Sequence, residues 1–438
     1  MRRGRLKRLM RLGGMAAGLA ADAAGAAGDL VAHGNEKAQE LFHRQTAERL
    51  LRVLGEMKGL PLKAGQLLSY IDEAIPPEHR KVYEEVLGRL QHSSPPVAWE
   101  EMEVVLREEL GDLGKHFADF DQTPIAAASI GQVYRAELHD GRQVVVKVQY
   151  PGIAEAFEAD LANVDVLVST FDALLPGLSF RDFVGDIIER VNEELDYIRE
   201  AENQAAFAAA WAEDPSVRVP TVFPELSTGR VLTSSYADGL VWADMLATAD
   251  AALKQHYGRE IFRFVFRSLF IDGMFNADPH PGNYLFHEDG SVTFIDYGCV
   301  VRFGERSMGA LLELRDLTVA RNTGEAWKSS MIRAFGVPGE LDAEVVEVLA
   351  NYVRLTVEPV TAEPQPYRFT RAYSTKLVQE MLVVKARLNK ALFTRRRADL
   401  WGMEDTGVVF LGRIAFGLGA ILATLEAEGD FNRMVAEM

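Results

Sequence analysis

The spacing of hydrophobic positions along the chain changes character several times. Between residues 34 and 118 it is helical. Ala38–Met57 carries Leu41, Phe42, Leu50, Leu51 and Leu54 on helix-compatible offsets, and Leu62–Ile71, Lys81–Leu90 and Trp99–Leu110 read as further helices. Pro61, Pro76-Pro77 and Pro95-Pro96 punctuate the region. After Phe120 the pattern becomes strand-like. Ile130–Leu138 and Arg142–Gln149 form a hairpin signal around the turn His139-Asp140-Gly141, the second strand with a β-branched core. Pro151 and Gly152 end it. Phe183–Ala210 then reads as a helix through Phe183, Ile187, Ile188, Val191, Leu195 and Ile198. Short strands fit Val217–Val222 and Arg230–Tyr236 about a turn at Ser227–Gly229. From Trp242 onward the chain is mostly helical, with Tyr257–Ile271 strongly apolar and helices over most of 305–437. The loop Asn276–Asn283 and a short hairpin, Tyr284–His287 with Ser291–Ile295, interrupt it. The prediction is an α+β chain with a small strand-rich lobe followed by a larger helical lobe.

The 438 residues are 48% hydrophobic and 25% charged, an ordinary globular composition long enough for two or three packed units. Cys299 is the single cysteine, so no intrachain disulfide forms, which fits a reducing, cytoplasmic setting. The formal net charge of −17 argues against nucleic acid as a partner. Against that acidic body stands a basic tip: Arg2, Arg3, Arg5, Lys7, Arg8 and Arg11 come before the first acid, Asp22. Leu6, Leu9, Met10 and Leu12 add apolar content at roughly helical spacing, a combination that can rest on an anionic membrane surface. Three readings compete for residues 1–33: a targeting peptide, a membrane-contact helix, and a plain helical extension with a solvated basic end. The weak hydrophobicity of Ala16–Ala27, with Asp22 inside it, ranks the plain extension first and peripheral surface contact second. Val408–Leu425 is the most apolar stretch, but Arg413 and three glycines make it a buried C-terminal helix rather than a membrane span.

The candidate chemistry begins with Asn276-Ala277-Asp278-Pro279-His280-Pro281-Gly282-Asn283. Asp278 and Asn283 stand five apart on a loop stiffened by Pro and Gly. Asp296 follows at a strand end in Ile295-Asp296-Tyr297-Gly298. Oxygen donors of this kind suit Mg2+, which is usually shared with phosphates. A loop Asp able to accept a hydroxyl proton, a nearby Asn and a strand-end Asp are the parts of a kinase catalytic centre. Upstream, Lys147 lies among Val144, Val145 and Val146 and needs a counter-charge. Phe183–Ala210 offers Glu193, Glu194, Asp196, Glu200 and Glu202, with Asp196 and Glu200 on one predicted face. In place of a Gly-x-Gly-x-x-Gly phosphate loop stands Ala126-Ala127-Ala128-Ser129-Ile130-Gly131-Gln132-Val133. Its methyl groups restrict the backbone where glycines would allow close approach to phosphates.

These features together resemble the UbiB/AarF family of atypical protein-kinase-like proteins, from about residue 30 to the C-terminus. Leu62-Lys63-Ala64-Gly65-Gln66 is similar to the family's K-x-G-Q signature, and Glu194-Leu195-Asp196-Tyr197-Ile198-Arg199-Glu200 to its E-x-D segment and αC-type glutamate. The alanine-rich loop and the Asp278–Asn283 and Asp296-Tyr297-Gly298 segments complete the match. The resemblance implies a bilobal protein-kinase-like fold. Its organisation would be a basic, then Ala/Gly-rich segment over 1–33, a helical extension over 34–118, an N-lobe over 119–237 with inserted helices on a small antiparallel sheet, and a helical C-lobe over 238–438. It implies that Lys147 holds ATP phosphates and Glu200 anchors Lys147. Asp278 would be the catalytic aspartate, and Asn283 and Asp296 the Mg2+ ligands. Ala126, Ala127, Ala128 and Ser129 would cover the nucleotide, with the backbone of Ser235–Ala237 receiving adenine. Lys63 and Gln66 would face the site as regulatory residues, Lys63 near Glu194 and Asp196. It further implies ATP hydrolysis or autophosphorylation, linked to isoprenoid quinone or lipid metabolism at a membrane, with oligomeric state open and a homodimer among the options.

The sequence departs from many relatives in lacking an acidic residue near Ser235, carries Asn276 where relatives often have His, and lacks the two membrane-spanning helices with which some relatives end. Plainer readings exist for single residues: a turn-forming Asp278, a loop-packing His280, a surface Lys63, a solvated Glu194 and Asp196, and a small buried filler at Cys299. Two rival functions stand beside the leading one. One is a small-molecule phosphotransferase of the aminoglycoside or choline kinase type, which shares the Asp-x-x-x-x-Asn loop. The other is a nucleotide-gated, non-enzymatic lipid-binding scaffold.

Overall fold

A computed structural model of the chain describes residues 97–127, 130–161, 194–337, 341–393 and 417–438, with Arg44, Ala47, Glu48, Val82 and Val86 as isolated positions. Lys63, Gln66, Ala128, Ser129 and residues 1–33 lie outside them, as do the bulk of the helices expected before Trp99, the first part of Phe183–Ala210 and the start of Val408–Leu425. The chain divides into two compact units, one of residues 1–198 and 223–233, the other of 199–222 and 234–438.

The first unit opens with α1 (Trp99–Leu110), at the predicted bounds. Met102, Val105 and Leu106 are its buried positions, an i, i+3, i+4 stripe. There follow β1 (Phe117–Phe120), β2 (Ala126–Ala127), β3 (Gly131–Leu138), β4 (Gln143–Gln149) and α2 (Ile153–Leu161). Next in the chain come α3 (Tyr197–Ala210) and β5 (Val217–Arg218), which from Arg199 onward belong to the second unit, and β6 (Val231–Ser235), of which Val231–Thr233 belong to the first. The sheet order is β1-β3-β4-β6, with β2 also on β3. In the predicted β3–β4 hairpin, Val133 pairs with Lys147 and Tyr134 with Val146. The two-residue period sends Val144, Val146 and Val148 into a core shared with α1, Tyr134, Phe223 and Val231. Lys147 projects from the opposite, half-buried face. Gly131 is obligatory: a Cβ there would overlap the carbonyl oxygen of Val148.

Two expectations change. Phe183–Ala210 is not one helix, because the chain leaves helical geometry at Leu195-Asp196 and α3 begins at Tyr197. The buried Gln149 side chain donates to the Leu195 carbonyl at 2.8 Å, diverting it from a helical partner. Asp196 is therefore exposed and outside the helix, while Glu200 is buried within it, so the two do not share a helix face. Val217–Val222 is also not one strand. Pro220 has no N–H to donate. Upstream of it, β5 joins another sheet; downstream, Val222 meets Ser234 in an isolated bridge.

The second unit holds α4 (Trp242–Thr248) and α5 (Ala251–Phe270), whose N-terminus is capped by Asp250 accepting from the Leu253 N–H at 2.8 Å. Then come β7 (Met274–Asn276), β8 (Tyr284–Phe286), β9 (Val292–Phe294) and β10 (Val300–Arg302). The predicted β8–β9 hairpin is present, and β5 pairs with β9 in parallel. The β7–β10 ribbon was not legible, since three-residue strands are too short to display a period. Helices fill most of the remainder: α6 (Glu305–Val319), α7 (Glu325–Ala334), α8 (Ala343–Thr356), α9 (Glu358–Thr361), α10 (Arg371–Phe393), α11 (Gly419–Thr424) and α12 (Phe431–Ala436). Among the described residues, no helix is long and apolar enough to cross a membrane.

Candidate active site

The β7–β10 ribbon and the β8–β9 hairpin bring two separate stretches of sequence together. Asn276 ends β7 directly opposite Val300, so the loop leaving β7 and the one approaching β10 start side by side. The Ala277 N–H donates to the Cys299 carbonyl at 2.8 Å, which closes the pairing. Between them Asn276 acts as a double bridge. Its Nδ2 donates to the Asp296 carbonyl at 2.9 Å, and its Oδ1 accepts the Asp278 N–H at 3.1 Å. The Asn276 side chain thereby orients the loop against the segment that carries Asp296.

Asn283 donates through Nδ2 to the Asp278 carboxylate at 2.9 Å and to the Asp278 carbonyl at 3.1 Å. The five-residue spacing is closed by a short 3-10 turn over Pro281–Asn283. His280, exposed, caps that turn, its Nδ1 accepting the Gly282 N–H at 3.1 Å. The Ile295 N–H donates to the Asn283 carbonyl at 3.1 Å, tying this turn to the residue before Asp296. Asp296 accepts the Gly298 N–H through Oδ1 at 3.0 Å. With its amide nitrogen committed to Asp278, Asn283 keeps a carbonyl oxygen for a cation.

The walls are aromatic. Tyr297 is fully buried and donates its hydroxyl to the Phe294 carbonyl at 3.0 Å. Its ring packs on Phe207 of α3, and Phe264 stacks on Phe294 at 3.6 Å. Burial, with the charge of Asp278 added, pushes the Tyr284 phenol far up; burial, with Asp296 added, does the same to Tyr297. Both phenols stay neutral beside the carboxylates.

Glu200 is 2% exposed, and its Oε2 lies 3.8 Å from where a Cβ on Gly298 would sit. A buried glutamate is thus placed beside the glycine of Asp296-Tyr297-Gly298. In the first unit, the Lys147 ammonium lies 4.9 Å from the centre of the Tyr197 ring. Ala126 and Ala127 are exposed and pair with Val133 and Gln132. Ser235 spends its hydroxyl on the Thr221 N–H at 2.9 Å and its own N–H on the Thr221 carbonyl at 2.8 Å. Ala237 lies between that pairing and the Leu240–Phe286 bridge. The structure therefore gathers Glu200, Asp278, Asn283 and Asp296 in one unit, with Lys147 in the other.

A Mg2+ ion fits the donors present. Asp296 and Asn283 offer hard oxygens, and two protein ligands suffice for an ion that keeps waters and phosphates around it. Among the described residues, no three His, Cys, Asp or Glu side chains cluster to hold a metal. Sequence reasoning missed Asn203, Gln204, Gln132 and Gln149, all buried amides. The signal for the first two was polar residues on the inward spacing Glu200, Asn203, Gln204, Phe207.

Two units, an antiparallel sheet in one and helices around a carboxylate–carboxamide loop in the other, define an α+β bilobal kinase-like protein. The chain belongs to the UbiB/AarF family: the model of the ABC1 atypical kinase-like domain matches residues 89–330. It is 32% identical over 331 residues to the mitochondrial atypical kinase COQ8 of Saccharomyces cerevisiae, covering 75% of this chain and 65% of that one. It is 34% identical over 309 residues to mitochondrial COQ8B of Rattus norvegicus, covering 68% and 57%. The chain thus spans roughly three-fifths of these relatives' lengths. Among solved structures, Rv3197 of Mycobacterium tuberculosis, in complex with erythromycin, matches with a TM-score of 0.58 and 30% identity, over 90% of this chain and 95% of that one.

Proposed function

We propose that the protein binds Mg-ATP and transfers its terminal phosphoryl group to water or to itself, as a UbiB-type atypical kinase-like ATPase. The observation that carries this reading is the Asn283–Asp278 hydrogen bond, in a loop that Asn276 ties to Asp296. Asn283 orients the Asp278 carboxylate, which would accept the proton of the attacking hydroxyl or water. The Asn283 and Asp296 oxygens would hold Mg2+, which supplies charge neutralisation for the phosphates. Lys147 would hold the nucleotide phosphates, with Glu200 as its anchor, and the Ser235–Ala237 backbone would receive adenine. The naming of the matched relatives as atypical kinases supports this reading.

The quinone or lipid role is part of the same proposal. A cavity of about 80 Å³ in the second unit, lined by Phe262, Phe266, Leu314, Phe335, Tyr373 and Leu422 among others, is well below the roughly 300–1,000 Å³ of small-molecule sites and is a packing void of the core rather than a lipid site. The second reading is a nucleotide-gated lipid-binding scaffold with marginal chemistry. The basic tip over 1–12 would bring either protein to an anionic, peripheral membrane position.

The deciding measurement is ATP hydrolysis with Mg2+, with and without anionic liposomes. Asp278→Asn is expected to abolish turnover and keep nucleotide binding. Equal turnover by wild type and Asp278→Asn would sink the catalytic assignment and leave the scaffold. Deleting residues 1–12 should weaken vesicle binding; unchanged binding would remove the membrane tip.

A further inference from the structure

Four positions of α3 face inward at the spacing i, i+3, i+4, i+7. Glu200, Asn203, Gln204 and Phe207 are 2%, 4%, 2% and 0% exposed. Three of the four are polar, where a helix ordinarily turns apolar side chains inward. A buried amide persists where its groups are paired, and each of these amides is. Gln204 donates to the Pro220 carbonyl at 2.7 Å. Asn203 donates through Nδ2 to the Tyr297 carbonyl at 3.2 Å, and its Oδ1 accepts from the Arg302 guanidinium at 3.3 Å.

The position of that acceptor matters. The Tyr297 carbonyl and the Gly298 N–H belong to one peptide group, which is rigid and planar. The Gly298 N–H donates to Asp296 Oδ1 at 3.0 Å. Fixing the carbonyl at one end of the plane therefore aims the N–H at the other end, and that N–H helps to set the direction of the Asp296 carboxylate. Arg302 fixes the Asn203 amide in turn, because its donor engages Oδ1 and so leaves Nδ2 toward Tyr297. Arg302 is itself held at the end of β10, opposite Met274.

We propose that Asn203 is a positioning residue for Asp296: through the Tyr297–Gly298 peptide plane it orients the carboxylate that holds the metal, and so links α3, which carries Glu200, to metal binding. The proposal rests on the Mg-nucleotide reading above. It assigns Asn203 no contact with nucleotide or metal. Its effect is on how the ligand is presented, and a helix displaced by one rotation would release the carboxylate.

The test is Mn2+ binding followed by electron paramagnetic resonance in the presence of ADP, beside ADP binding measured without metal. Asn203→Leu keeps the branched shape, with somewhat more bulk, and removes both hydrogen bonds. It should weaken Mn2+ binding about tenfold, the scale of one or two lost hydrogen bonds, and leave metal-free ADP affinity within about twofold. Asn203→Ser, smaller and easier to accommodate, should lose metal affinity in the same direction and keeps the test available if the leucine variant does not fold. Gln204→Leu, from the same buried face, should lower thermal stability yet retain Mn2+ affinity. Unchanged Mn2+ affinity in both Asn203 variants, or an equal loss in Gln204→Leu, would overturn the assignment and leave Asn203 as packing. A wild-type protein that binds ADP with no metal enhancement would instead overturn the Mg-nucleotide reading, and this inference with it.

Discussion

The Asn276 side chain donates to the carbonyl of Asp296 at 2.9 Å while accepting the N–H of Asp278 at 3.1 Å. One carboxamide therefore sets the spacing between the proposed catalytic aspartate and the strand-end aspartate. Removing it leaves a partly buried carbonyl and N–H to find water or stay unpaired, at a cost of about 1–3 kcal/mol. Asn276→Ala should lower ATP turnover by about tenfold or more and reduce the melting temperature by a few degrees. Asn276→His should retain more of both, since a neutral imidazole offers one donor and one acceptor. Steady-state hydrolysis and a thermal melt check this; equal loss in the two variants would contradict the bridging role.

Gly131 is the one glycine in the alanine-rich segment Ala126–Val133. Adding a methyl group forces it against the Val148 carbonyl of the neighbouring strand and toward the Tyr197 hydroxyl. Overpacking of this kind costs about 1–3 kcal/mol. Gly131→Ala should therefore destabilise the sheet-bearing unit, whereas Gly141→Asn, at a turn with φ of 84° and nothing close to its Cβ, should be tolerated. Denaturant melts of both variants decide it, and a wild-type midpoint for Gly131→Ala would mean that the strands can part without cost.

Gly417 abuts the Asn276–Asn283 loop, where a Cβ would overlap the Pro279 ring. Gly417→Ala should displace Pro279, next to Asp278, and lower the turnover number several-fold while leaving the affinity for ADP near wild type. Isothermal titration beside hydrolysis separates the two. A drop in affinity with unchanged turnover would show that this contact does not reach Asp278.

His287 lies behind the β8–β9 hairpin, its Nε2 against Thr293 Oγ1 at 2.8 Å and its Nδ1 near Arg218 at 3.4 Å. Burial, then the Arg218 charge, holds its pKa below 6.5, with Asp289 and Asp238 opposing more weakly. The folded protein therefore takes up this proton less readily than the unfolded chain. The stability His287 contributes is complete above pH 6.5 and is lost as the pH falls from there through the lower folded value. Melting temperatures of wild type should fall between pH 7 and 5 more steeply than those of His287→Gln; parallel slopes would exclude His287 as the titrating group.

Much of the fold was legible because long periodic segments state their own geometry. Trp99–Leu110, the β3–β4 hairpin, the helix through Tyr257 and the β8–β9 hairpin follow from spacing and turn residues alone. The candidate chemistry was legible for a related reason: Asp278, Asn283 and Asp296 sit close in sequence, on a loop and a strand end whose direction Pro and Gly restrict. The family resemblance added roles for Lys147 and Glu200 that spacing could not supply.

The remainder depended on partners remote in the chain. Nothing local marks Leu195-Asp196 as a helix break, because the group that takes the Leu195 carbonyl is Gln149, on a strand 46 residues earlier. The same holds for Asn203, whose polar side chain reads as solvent-facing until Tyr297 and Arg302 close around it. Periodicity records which positions are apolar; a buried amide is stabilised by a particular carbonyl and a particular donor, and only the folded chain brings those to within hydrogen-bonding distance.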